Sequence, residues 1–192
     1  HGGGSGYLAA MALFGLAPAE MRPAALVLNV IVAGIGTVRF VRAGHFDLRL
    51  FALCAAGAVP FAFLGGVLTP TDVTYKRIVG AVLLFAAVRL LFTTSAFDAA
   101  QKKRAPAWAA VLCGSGIGLL AGLTGTGGGI FLSPLLLFLR WADTKDTAGV
   151  SVAFILANSL AGLGGLLTKP FALPEGVALW AVAAALGGLL GS

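Results

Sequence analysis

Charge is what this sequence has least of. Asp, Glu, Lys and Arg make up 10% of its 192 residues, and only 7 of these are acidic. A soluble domain carries roughly 25%, so a water-soluble globular fold is excluded. The same scarcity limits chemistry. No His/Asp/Glu cluster, Ser–His pair or Cys–His pair can be assembled from such a chain, which argues against an enzyme working inside a membrane. Cys54 and Cys113 both sit in apolar stretches and read as small packing residues, not as a disulfide or a metal pair. Nothing calls for a metal or a cofactor. There is no basic patch with interleaved aromatics, so nucleic acid is not a partner. The net charge of +6 reads instead as Lys and Arg in the loops on the inner side of a membrane.

What the chain does have is apolar length. AVILMFWYC account for 59%, mean hydropathy is +0.99, and there are 28 glycines. That composition predicts an all-α polytopic membrane protein, a helix bundle in which glycine permits close packing. The lipid bilayer is then its solvent and the cytoplasmic (inner) membrane its location, crossed several times. Oligomeric state is not legible.

The organising stretch is Gly122-Leu123-Thr124-Gly125-Thr126-Gly127-Gly128-Gly129, followed by Ser133-Pro134. Each interior glycine costs a helix about 1 kcal/mol relative to Ala and admits positive φ. The flanks, Ile117 to Ala121 and Ile130 to Leu139, are strongly apolar, so the break is expected at membrane depth. Non-helical backbone survives there only inside protein or beside a wet cavity. Gly2-Gly3-Gly4-Ser5-Gly6 reads as a second copy.

In chain order, Tyr7 to Leu16 is too short to span and fits the second half of a broken helix. Pro18, Glu20, Arg22 and Pro23 predict a polar turn. Spans are expected at Ala24–Val41, at Leu50–Leu68 with a kink at Pro60, and at Ile78–Phe92. A further span is expected at Gly149–Leu167, and another begins at Val177. Thr69 to Arg77 predicts a turn. Trp108, Trp141 and Trp180 sit where interfacial aromatics belong, and Lys102-Lys103-Arg104 where headgroups do. Residues 108–139 are long enough to cross once or to form a broken hairpin.

The two halves repeat. Gly2-Gly3-Gly4 answers Gly127-Gly128-Gly129, and Asn29 with Gly34 and Gly36 answers Asn158 with Gly162 and Gly164. The expected organisation is a first transmembrane repeat over 1–92, a cytoplasmic linker over 93–106 and a second repeat over 107–192. The chain opens inside one glycine run without an initiator Met and stops inside an apolar run, so both outer ends are read as truncated. A single crossing of 108–139 would make the repeats parallel and a hairpin would make them inverted.

The Gly-Thr-Gly-Gly-Gly break followed by Phe131-Leu132-Ser133-Pro134-Leu135-Leu136, with the repeated Asn and Gly-x-Gly spans, resembles the TauE/SafE family over essentially all 192 residues. Members are described as sulfite or organosulfonate exporters. The first copy departs from the second in having Ala9 where Pro134 aligns. The resemblance implies transport of a small anion, with sulfite, an organosulfonate or a related sulfur-containing or carboxylate anion as substrate.

Both glycine runs precede apolar helix. Amides at such helix starts point outward, with about half a positive charge concentrated there, and two meeting at mid-membrane would hold an anion without a buried Lys or Arg. Paired breaks in corresponding halves are the mark of a transporter site. The expected substrate-binding set is Gly2, Gly3, Gly4, Ser5, Asn29, Thr124, Gly125, Thr126, Gly127, Gly128, Gly129, Ser133 and Asn158. The competing reading is that the glycines only let helices approach and the Ser, Thr and Asn side chains bond across them. A channel using the same site is a further alternative.

Overall fold

The computed structural model describes residues 3–91, 102–170, 173–174 and 176–190. Among these residues there are eight helices and no strand: α1 Gly4–Leu13, α2 Pro18–Arg42, α3 Leu48–Val67, α4 Asp72–Leu91, α5 Ala107–Thr124, α6 Gly129–Phe138, α7 Thr144–Leu166 and α8 Val177–Leu190. α2, α3, α5 and α7 are each long and apolar enough to cross a membrane. Most of the linker expected over 93–106, and Gly2, lie outside the described residues.

Three helices begin earlier than their apolar runs. α2 starts at Pro18, α4 at Asp72 and α7 at Thr144, so the turns expected at 18–23 and 69–77 are largely helical. The first turns carry Glu20, Asp72 and Asp146, and an acid at a helix start meets the positive end of the dipole. Pro18 occupies a position whose missing N–H costs the helix nothing. α3 runs through Pro60 without interruption.

The core of the bundle is α3 lying along α5, backbone against backbone. A Cβ built on Gly114 would stand 2.1 Å from Cys54 O, on Gly118 2.2 Å from Ala58 O, and on Gly122 2.2 Å from Ala62 O. The residue numbers rise together, so the two helices run parallel. α7 joins them in the same sense: Leu50 and Val150 share one buried cluster, and Gly66 packs on Gly162 at the other end. α2 runs the opposite way, with Gly36 on Val152 and Leu26 on Gly162. α8 lies along α2, with Gly188 against Val32 and the Arg39 guanidinium donating to Leu189 O at 2.9 Å.

Residues 107–138 form a hairpin, not a single crossing. α5 climbs to the level of the α3 C-terminus. α6 then returns along α7, with Gly129 beside Ile155 and Ser133 Oγ 2.9 Å from Ser151 Oγ. The open ends are tied together, since Lys103 N–H donates to Arg140 O at 2.7 Å. α1 also starts at this loop but runs toward Met21 and Tyr75, the end opposite to that reached by α6.

The hairpin's open end is pinned electrostatically. Lys102 Nζ lies 2.7 Å from Asp143 Oδ2 and 2.6 Å from Asp146 Oδ2. Asp143 also caps α7, its Oδ1 accepting from Asp146 N–H at 2.8 Å. The Lys102 hydrogen bond, with the cap behind it, holds the Asp143 carboxyl below the usual range, and the two carboxylates raise Lys102. A depressed acid stabilises the fold above its unfolded pKa and ceases to as pH falls through the folded one. The raised Lys does the converse at the alkaline end. Lys102→Met is therefore expected to lower the thermal midpoint by a constant amount between about pH 5 and 9, with the difference from wild type vanishing in strong acid. A difference that persists after Asp143 is protonated would show that the Lys102 stem, not its charge, does the holding.

Candidate functional site

The hairpin turn is built from glycines that have no substitute. Gly125, Gly127 and Gly128 have φ of 82°, 74° and 82°, in the left-handed region that side chains with a Cβ adopt at a cost. Gly125 closes α5, donating to Ala121 O at 2.8 Å, and Gly128 opens α6 as its N-cap. Gly3, with φ 75°, opens α1 in the same way. A Cβ on Gly4 would lie 2.5 Å from Thr126 O, so the start of α1 abuts the turn that starts α6. Two helix N-termini thus meet one loop at mid-bundle, pointing away from each other. Their first amides have no carbonyl one turn earlier to bond to.

Two asparagines clamp this loop. Asn29 Nδ2 donates to Gly125 O at 2.9 Å from α2, and Asn158 Nδ2 reaches Gly127 O at 3.5 Å from α7. Both side chains are fully buried. Their Oδ1 atoms, and the buried Ser159 Oγ next to Asn158, have no hydrogen-bond partner among the described residues. Each such orphan costs about 1–3 kcal/mol in a dry interior. A Cβ on Gly127 would lie 3.1 Å from Asn29 Nδ2 and 3.2 Å from Ser159 Oγ, so these groups converge on the loop from both sides.

The remaining residues of the expected set divide. Thr124 and Thr126 share a hydroxyl contact of 3.0 Å, and Thr124 Oγ1 also donates to Leu120 O at 2.7 Å, so both serve the turn itself. Ser133 is one turn into α6, donating to Gly129 O at 2.9 Å and contacting Ser151 on α7. Gly129 packs against Ile155, and Ser5 stands half-buried in the first turn of α1. Asn29, Asn158, Gly3, Gly4 and 124–129 are therefore brought together, whereas Ser133 sits off to one side.

Two residues here were not legible as site residues. Ser159 looks like any small residue of a membrane helix. Arg22, placed by the sequence in a polar turn, is buried inside α2. Its Nε donates to Gly122 O and its Nη1 to Leu68 O, each at 2.8 Å, and its Nη2 donates to Gly65 O. Arg22 makes no ion pair among the described residues. It ties together the last turns of α3 and α5, where carbonyls lack helical partners and the dipole is negative. Tyr75 adds a hydroxyl donor to Thr124 O at 3.1 Å. A buried cation thus stands one turn from the loop that receives the two helix N-termini. A largely apolar cavity of about 980 Å³ between α1, α2 and α8 reaches Gly3, and Tyr7 and Trp180 are the side chains in its lining that carry a donor.

The chain matches, over residues 1–192, the family model described as "Sulfite exporter TauE/SafE". It belongs to the TauE/SafE family. It is also 36% identical over 193 residues to the "Probable membrane transporter protein y4hK" of Sinorhizobium fredii (strain NBRC 101917 / NGR234), covering 99% of this chain and 78% of the relative. No solved structure matches it. As a TauE/SafE protein with four helices long enough to cross a membrane, it is a multi-pass membrane protein of a transporter family.

Proposed function

We propose that this TauE/SafE protein is a secondary transporter that moves a small anion across the cytoplasmic (inner) membrane. The anion binds where α1 and α6 begin. Sulfite, an organosulfonate, or a related sulfur-containing or carboxylate anion is the substrate. The observation that carries this reading is the pair of glycine-capped helix starts facing a loop beside which Asn29 Oδ1, Asn158 Oδ1 and Ser159 Oγ are buried without partners among the described residues. Each start concentrates about half a positive charge, and Arg22 adds a whole one nearby. The site offers acceptors as well as donors, which favours an anion that brings a proton of its own. Hydrogensulfite can accept from the amides and donate to an asparagine oxygen; the fully ionised dianion cannot donate.

We read the two halves as inverted repeats. α1 with α2, and α6 with α7, are each a half-length helix antiparallel to a long one, and the two pairs point in opposite directions. Such an arrangement suits alternating access around a fixed central site. The end bearing Arg39, Arg42, Arg49, Lys102–Arg104, Arg140 and Lys145 outweighs the end bearing Arg22, Lys76, Arg77 and Lys169. That bias puts the first end in the cytoplasm.

The test is flux of labelled sulfite, sulfate, taurine and acetate into proteoliposomes holding the full-length protein. One anion is expected to enter saturably. Asn158→Leu should reduce that flux by at least about tenfold, the effect of losing a hydrogen bond to a charged group. Sulfite uptake at fixed total concentration is expected to fall as pH rises and the last proton leaves. Unsaturable flux would assign a channel. Full flux from a folded Asn158→Leu and a folded Asn29→Leu would remove the site from the loop.

A further inference from the structure

The end of the bundle that bears the Lys and Arg excess carries another cavity, of about 260 Å³ and lined by charged side chains, far from the α5–α6 turn. It is framed by the first turn of α3, the segment leading into α5 and Trp141 just after α6. Four cations line it: Arg49, Lys102, Lys103 and Arg104. Lys102 is committed to Asp143 and Asp146. Arg49, Lys103 and Arg104 make no ion pair among the described residues. The one acid in the lining, Asp47, has its Oδ1 engaged by Leu50 N–H at 2.9 Å as the cap of α3. The cavity therefore keeps an excess of positive charge that the chain itself does not neutralise.

Its other walls are apolar. Leu50, Leu53 and Trp141 form the side that faces the bundle, with Leu50 fully buried in the α3–α5–α6–α7 core. Backbone ties fix the frame, through Lys103 N–H on Arg140 O and the Lys102 ion pairs. Cations thus stand beside leucines and an indole, at the depth where the spanning helices end. A free inorganic anion would have no use for the apolar side.

We propose that this cavity holds the phosphate of an anionic phospholipid, with the glycerol ends of its acyl chains against Leu50, Leu53 and Trp141. Basic pockets between helices on the side that carries the Lys and Arg excess are suited to such headgroups, and neutral phosphatidylcholine lacks the net charge to compete. The site is independent of the transported anion, and its occupancy does not depend on flux.

Trp141 supplies the probe. The Trp108→Phe/Trp180→Phe variant leaves it as the one tryptophan of these 192 residues. That protein is reconstituted in phosphatidylcholine bilayers containing brominated phosphatidylglycerol or brominated phosphatidylcholine at equal low mole fraction. Quenching by the brominated phosphatidylglycerol is expected to be at least about fivefold stronger, the ratio that one basic residue beside an anionic surface supplies. Arg49→Gln/Arg104→Gln should bring the two lipids close to parity, and millimolar inorganic phosphate should leave the quenching unchanged. Equal quenching by the two lipids in the parent protein would overturn the proposal without reference to the basic variants. Relief of quenching by inorganic phosphate would overturn it too, since it would assign the cavity to a free anion.

Discussion

Replacing Arg22 by Leu is expected to abolish most of the folded protein, although it makes the chain more apolar. Hydropathy alone predicts the reverse, because a charged residue near the end of a spanning helix is exchanged for a better lipid-soluble one. The geometry decides otherwise. Arg22 donates to carbonyls on two helices, Gly65 and Leu68 of the α3 end and Gly122 of α5. Leucine leaves two buried acceptors and one partly buried acceptor unpaired, at about 1–3 kcal/mol for each buried group, against a total stability of about 5–15 kcal/mol for a domain. It also removes the cation facing two negative helix ends. Arg22→Lys should fall between, since one ammonium is a point charge and cannot address three carbonyls from a planar fork. Arg77→Leu is the control, because Arg77 is exposed on α4 and its loss should change stability by no more than about 0.5 kcal/mol. The measurement is the thermal midpoint and monodisperse yield in detergent. A wild-type midpoint for Arg22→Leu would mean that the carbonyls find other partners and that Arg22 is not the tie between α3 and α5.

Arg22 also marks the boundary of what the chain discloses by pattern. Its segment, Pro18-Ala-Glu-Met-Arg-Pro23, has two prolines and two charges in six residues, and local chemistry reads that as a turn. Nothing within the segment reveals that Gly65, Leu68 and Gly122, between 43 and 100 residues away in sequence, present carbonyls at that place. The helix class, the spans within α2, α3 and α7 and the glycine break were legible because they depend on composition, apolar length and glycines that admit positive φ. The sense of 108–139 was not, since 32 apolar residues fit either a crossing or a return. The contact of Lys103 with Arg140 decides it, and no periodicity encodes that contact.

The geometry around the candidate site was legible to a similar depth. Glycine runs named the two helix starts, and the position of Asn29 and Asn158 before Gly-x-Gly steps named the two clamps. Ser133 was grouped with them because it lies four residues past the turn. Four residues is one helical turn, and that spacing lets its hydroxyl bond back to Gly129 O. Ser159 escaped because only its burial without a partner sets it apart from Ser151, and burial is a property of the packed bundle.

The same distinction between a glycine's presence and its surroundings supports the second large effect. α5 carries Gly114, Gly116, Gly118 and Gly122. By helix propensity all four are equal liabilities, each improved by about 1 kcal/mol on changing to Ala. Their environments differ completely. A Cβ on Gly118 would lie 2.2 Å from Ala58 O and 2.6 Å from Ala58 Cα, whereas one on Gly116 meets nothing within 4 Å. The Gly118 neighbours are backbone and cannot turn aside as a side chain could. The methyl must therefore push α3 and α5 apart along the whole shared stripe, forfeiting close packing, which is the main source of helix association where lipid removes the hydrophobic drive. Gly118→Ala is expected to lower the thermal midpoint sharply and to cost about 1–3 kcal/mol, in the range of overpacked cores. Gly116→Ala, two residues away on the lipid-facing side, should be neutral or slightly stabilising. Both can be read in one experiment, a paired thermal melt in the same detergent. If the two variants melt together, propensity governs this helix, and the close approach of α3 to α5 does not hold the hairpin turn in place. If they separate as expected, the spacing Gly114-x3-Gly118-x3-Gly122 fixes the height at which Gly125–Gly128 can turn. The position of the proposed anion site then follows from helix packing several turns below it.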